Sequence, residues 1–304
     1  MTTTMAPPPP TTVGARSFGG HSMSARLRTV VVRQPAPPAT GDLAEALHFG
    51  YPRPADQATA EREHAALRLL LAEEGIEVIA AEPDEPGLLD AIFAYDPSII
   101  TNQGAVLLRP GKEVRLPEVA LAERLYAELG VPILGRIEAP GTVEGGDTLW
   151  LDEVTLAVGL GYRTNALGVA QLSGLLYPLG VTVLPVALPH WRGPGECLHL
   201  MSLISPIAAD TAVVYPPLLA VPFVEELHRR GWRLIEVPDN EFDTLGCNVL
   251  ALAPGRCLVC DGSPVTRGRL EAAGFAVLSY VGQELSHNRA GGPTCLTRPV
   301  WRAD

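Results

Sequence analysis

The sequence predicts an α/β fold of five repeated strand-strand-helix-strand units around a common centre, a five-bladed α/β propeller. Two observations predict it. Five times a helical pattern ends in glycine and an apolar strand follows at once: Gly75-IEVIAA, Gly130-VPILG, Gly180-VTVLP, Gly231-WRLIEV and Gly274-FAVLSY. These glycines lie 55, 50, 51 and 43 residues apart, a period suited to supersecondary repeats packed about an axis. Glycine fits the position after a helix because it enters the left-handed region without a Cβ clash. On period alone, a doubly wound sheet remains the alternative.

Each unit is justified by its own pattern. The opening RTVVVR reads as a strand with no earlier partner. The amphipathic stretches AEREHAALRLLLAEEG and PEVALAERLYAELG precede the first two junctions as helices. Between later junctions lie paired strand-like runs, DTLWL with VTLAVGL and CNVLAL with RCLVC. LTRPVW near the C-terminus is a strand without a following helix. It and RTVVVR are expected to complete one unit between them and close a ring. Such closure places functional residues on loops facing the axis, scattered along the chain.

Bulk properties narrow the function. The 304 residues carry 47% hydrophobic and 19% charged side chains and a formal charge of −11. That balance argues against nucleic acid, which needs basic patches, and against an acidic membrane surface. It suits a small cationic substrate. No apolar run reaches the length of a membrane span. Residues 1–25, rich in Thr, Pro, Gly and Ser and without a signal-peptide core, are expected to form a flexible tail. Residues 26–304 are then a single catalytic domain. Five unevenly spaced cysteines are not a secreted disulfide framework, and reduced thiols in a cytoplasm fit better.

Four glycine-bearing or strand-edge segments offer chemistry. Gly291-Gly292-Pro293-Thr294-Cys295 presents a thiol that is a competent nucleophile once ionised; a buried structural cysteine is the bland alternative. Cys197-Leu198-His199-Leu200-Met201-Ser202 offers an imidazole able to move protons near neutral pH. Thr142-Val143-Glu144-Gly145-Gly146-Asp147 sets two carboxylates around a glycine pair; Asp147 could equally cap a turn. Asp90-Ala-Ile-Phe93-Ala-Tyr95-Asp96, followed by Arg109 after a second strand, holds an acid at a strand end that could bind a cationic head group through charge-assisted hydrogen bonds; a surface carboxylate is the bland alternative. Cys257 and Cys260 have metal-site spacing, yet in a strand they point to opposite faces and no second ligand pair follows. The C-terminal arginines Arg289, Arg298 and Arg302 are too sparse for a nucleic-acid patch.

In this order the segments resemble the amidinotransferase/dimethylargininase superfamily, the pentein or α/β-propeller proteins. VVVR, FxxD followed by LLRPG, the EGGD loop, GLGYRTN, the HL strand start and GGPTC run from about Arg28 to Arg302 in family order. The resemblance implies that Cys295 attacks a guanidinium carbon, that His199 protonates the departing amine and activates water, and that Glu144 holds the guanidinium and orients the group. It implies that Asp96 binds guanidinium nitrogens and that Arg109 and Arg163 hold a substrate carboxylate. Asp90, Phe93 and Asp147 complete the expected binding set. It implies no metal or other cofactor, and a homo-oligomer is compatible with it. Relatives that act on unsubstituted arginine resemble one another in carrying HLD; here the third position is Met201, which favours a substituted guanidinium as in dimethylargininases. Against that, Tyr95 stands where those enzymes have an acid. Arginine deiminase, dihydrolase or amidinotransferase chemistry stays open, as does a non-catalytic binding protein.

Overall fold

The computed structural model describes residues 11–13, 16–82 and 86–303. Among them, five three-stranded sheets share one plan: two antiparallel strands, a helical connection, and a third strand parallel to the second. Sheet 2 uses Ser98–Thr101, Gly104–Leu107 and Ile133–Arg136. Sheet 3 uses Thr148–Asp152, Thr155–Leu160 and Thr182–Ala187. Sheet 4 uses Ile204–Ala208, Thr211–Val214 and Arg233–Glu236, and sheet 5 uses Val249–Ala253, Arg256–Cys260 and Ala276–Tyr280. Sheet 1 draws on both ends of the sequence: Arg298–Arg302 pairs antiparallel with Leu27–Arg33, which pairs parallel with Glu77–Ala81. The expected closure by RTVVVR and LTRPVW is therefore observed.

The ring follows from how the strands share their two faces. Alternate residues of a strand point to opposite sides, and here each side meets a different neighbour. Val31 packs with sheet 2 while Val30 and Val32 pack with sheet 5. Trp150 packs with sheet 2, and Leu149 and Leu151 with sheet 4. Val249 faces sheet 4, and Leu250 and Leu252 face sheet 1. Five apolar cores thus link sheets 1–2, 2–3, 3–4, 4–5 and 5–1 in sequence. Strands buried on both faces read as continuous apolar runs rather than alternating ones, which is why GAVL, TLAVGL and VLALA carry no charges. The five junction glycines all adopt positive φ, from 71° to 96°, where a side chain would be strained.

The flexible tail expected over residues 1–25 is corrected for its last part. Phe18 is buried in the core between sheets 1 and 2. His21 stacks on Trp150 with ring centroids 4.1 Å apart, and its Nδ1 donates to the Glu153 carbonyl at 2.8 Å. Gly19 exchanges backbone hydrogen bonds with Val300 and Arg302. Burial of an aromatic ring and completion of a sheet edge offset the ordering entropy that a Thr/Pro-rich composition alone would not. The rest of that expectation falls on residues 1–10, 14 and 15, outside the described residues.

Candidate active site

One residue in the short loop ahead of the first strand of each sheet, one to five positions before it, meets the others at the axis. These are Cys295 before Arg298–Arg302, Asp96 before Ser98–Thr101, Glu144 before Thr148–Asp152, His199 before Ile204–Ala208, and Asn248 before Val249–Ala253. The repeat therefore places one chemical group per blade. A cavity of about 870 Å³ opens there, and Cys295, Asp96, His199, Asn248, Arg163 and Met201 are among the residues that line it.

Glu144 and His199 form the tightest pair. Glu144 is fully buried, and its Oε2 lies 2.7 Å from His199 Nε2. Its Oε1 accepts from Arg163 Nε at 2.9 Å and from the Gly111 amide at 3.0 Å. Burial alone would raise this carboxyl; Arg163 and His199 outweigh it and hold Glu144 well below the usual carboxylate range. Burial likewise opposes charge on His199, but Cys197, Asp147 and Asp96 outweigh it and push the imidazole well above its ordinary value. The surrounding acids therefore favour the protonated ring, donating to the Glu144 carboxylate. Gly146 makes this possible: a Cβ there would lie 2.3 Å from His199 Nδ1.

Cys295 is held from both sides of its turn. Its carbonyl accepts from the Tyr95 amide at 3.2 Å, and its Sγ accepts from Asn248 Nδ2 at 3.1 Å. Burial, then the Asp96 carboxylate, push the thiol up to about 11, against opposing pulls from Asn248 and His199. Gly292 leaves room for Asn248, whose Cγ would lie 2.5 Å from any Cβ at that position.

Asp96 accepts from Gly146 N at 2.7 Å and from Arg115 Nη1 at 2.6 Å. Burial raises it, but Arg115 and His199 outweigh burial and leave it below the usual value. Arg115 is itself buried and also clasps Glu118, 2.8 Å away. Asp90 binds Tyr51 Oη and Lys112 Nζ, both at 2.7 Å. Donor atoms of Asp96, Glu144 and His199 lie within 4.8 Å of one another. A metal would find them already paired with Arg115, Arg163 and a ring proton, so the cluster is built as a charge network.

The structure thus gathers Cys295, His199, Glu144, Asp96, Asp90, Phe93 and Arg163 at one place. Three expectations need correction. Arg109 does not line the cavity; its carbonyl accepts the Val143 amide at 2.8 Å and positions the loop carrying Glu144. Asp147 lies behind His199, taking the Leu200 amide at 2.9 Å, and burial pushes it up to about 6. Glu144, expected also to hold a guanidinium, has both oxygens engaged by His199, Arg163 and the Gly111 amide. Tyr95 also turns inward, its hydroxyl 3.7 Å from Met23 Sδ. Sequence reasoning missed Asn248, Arg115, Arg289 and the proximity of Cys197 to His199. Asn248 was findable, since it holds in the fifth unit the place that Asp96, Glu144 and His199 hold in theirs.

A thiol, an imidazolium–carboxylate pair and a further acid at the axis of five blades define the pentein class of guanidino-modifying enzymes. The chain belongs to the arginine deiminase family, whose model matches residues 87–228 and 219–302. It is similar to the N(G),N(G)-dimethylarginine dimethylaminohydrolase of Streptomyces coelicolor, with 31% identity over 272 residues, covering 89% of this chain and 96% of that one. An arginine deiminase of Listeria welshimeri is 29% identical, covering 69% of this chain and 61% of its own. A solved variant of the Pseudomonas aeruginosa dimethylarginine dimethylaminohydrolase, complexed with citrulline, superposes with a TM-score of 0.72 at 25% identity, covering 90% and 98% of the two chains.

Proposed function

We propose that this protein hydrolyses an N-substituted arginine to citrulline and an alkylamine. The observation that carries the reading is the meeting of Cys295, the His199–Glu144 pair and Asp96 at one cavity, with buried Met201 on its wall where a second acid would otherwise grip an unsubstituted guanidinium. Asp96 carries two donors on a carboxylate with about four lone-pair positions, so it can still accept from guanidinium nitrogens. The Cys295 thiolate adds to the guanidinium carbon. The bond to the substituted nitrogen breaks, and the amine leaves with a proton from His199. Water, deprotonated by His199, then attacks the carbon; the C–S bond breaks and citrulline departs. Glu144 stabilises the imidazolium at each stage.

At the amino-acid end, Arg163 and Arg289 are the arginines suited to a carboxylate. Both line the cavity, and the buried Arg289 Nη2 has no hydrogen-bond partner among the described residues. Residues 26–304 act as one catalytic unit, because the site takes one group from every blade. No helix among the described residues is long and apolar enough to cross a membrane, and the unpaired cysteines suit a reducing cytoplasm.

The test is product identification by mass after incubation with mono- and dimethylarginine, using wild type and Cys295→Ser. Citrulline from wild type alone supports the reading; none from either sinks it. The family match favours arginine deiminase as the second reading, and ammonia released from plain arginine would select it.

A further inference from the structure

The reaction above leaves Cys197 without a role, yet it sits against the group that moves protons. Its Sγ lies 3.6 Å from His199 Nδ1 and 3.9 Å from Nε2. The sulfur therefore lies over the ring that Glu144 holds through Nε2, and the Arg163 guanidinium, bonded to Glu144, adds positive charge beside the thiol. A sulfur beside a positively charged imidazole and a guanidinium is an arrangement that favours the thiolate and so activates a nucleophile. Cys197 is also open to the cavity, whereas Cys247, Cys257 and Cys260 are buried. Burial pushes the Cys257 and Cys260 thiols up to about 12 and 11. At Cys197 burial acts the same way, but His199 and then Arg163 outweigh it and leave the thiol below its usual value. Cys295 faces the opposite field, beside Asp96.

We propose that Cys197, rather than Cys295, is the thiol through which the ligand-free protein reacts with neutral soft electrophiles and with peroxides. In the peroxide step the Cys197 sulfur attacks one oxygen and the O–O bond breaks. The released hydroxide takes a proton from His199 and becomes water. The thiolate is oxidised to a sulfenic acid, and the peroxide is the electron acceptor. The new hydroxyl then occupies the space at His199 into which a leaving amine would depart. Electrophiles bearing an amidinium follow the opposite route, because Asp96 draws their charge toward Cys295.

The experiment treats wild-type protein at pH 7 with a limiting amount of iodoacetamide, and separately with hydrogen peroxide plus dimedone, and maps the adducts by peptide mass. Chloroacetamidine serves as the cationic comparison. We expect the neutral reagents to label Cys197 first, at least roughly tenfold ahead of Cys295, and chloroacetamidine to label Cys295. Cys197 labelling should persist in Cys295→Ser. A first neutral adduct on Cys295, equal labelling of both thiols, or a Cys197 rate no faster than cysteine in an unstructured peptide would overturn the proposal. Because labelling is read directly on wild type, the result stands apart from whether methylated arginines prove to be substrates.

Discussion

Cys295 is expected to ionise only when a cation arrives. With its thiol at about 11, forming the thiolate at pH 7 costs about 5 kcal/mol at 1.36 kcal/mol per unit. A guanidinium about 4 Å from the sulfur returns ~4 kcal/mol at the effective dielectric of a partly buried site. The two nearly cancel, so the occupied site should titrate near about 8 rather than 11. The sign is that of a depressed thiol: ionisation is absent below that value and complete above it. The assay follows thiolate absorbance in the ultraviolet against pH, as the difference between wild type and Cys295→Ser, with and without a guanidinium ligand. A ligand-induced drop of about three units supports the reasoning. A Cys295 thiolate already present at pH 7 in ligand-free protein, unmoved by the cation, refutes it.

Three further outcomes follow from the same contacts. Gly146→Ala should cost about 100-fold in kcat, since its Cβ would displace the His199 ring, while the circular dichroism spectrum stays unchanged. Asp147, raised to about 6 from 3.8 by burial, penalises the fold above pH 6, and that penalty fades as pH falls through 6 and is gone below 3.8. Asp147→Asn should therefore raise Tm at pH 8, by at most about 3 kcal/mol of stability, and lose this advantage at pH 4; a pH-independent difference would contradict it. Arg115→Met strips the cation from buried Asp96 and Glu118 and should destabilise by about 3–5 kcal/mol in denaturant titrations, more than Arg136→Met at an exposed pair.

The fold was legible where a residue has one backbone solution. Positive φ at Gly75, Gly130, Gly180, Gly231 and Gly274 is written into the choice of glycine, and five such marks count the blades. Cys295, His199 and Asp96 were legible as reactive side chains on axis-facing loops. What escaped was pairing. Nothing in LLRPG distinguishes Arg109, used for its carbonyl, from Arg115, whose guanidinium serves three buried acids. Nor does GECLHL announce that Sγ and imidazole touch, because two residues in an extended segment can face either way. Composition misled at the N-terminal side, where one phenylalanine and one histidine anchor a segment that reads as a tail.

Sheet 1 works as a clasp. Val31 and Arg298 must find one another across nearly the whole sequence, a long loop closure that comes late and slowly in folding. Cys295 lies three residues ahead of the clasping strand, and its carbonyl accepts from Tyr95 on the neighbouring blade. Sheets 2 to 5 carry the acid, the carboxylate, the imidazole and the amide, and the Cys295 sulfur reaches them only through sheet 1. Shutting the clasp brings ring and Cys295 together in one event.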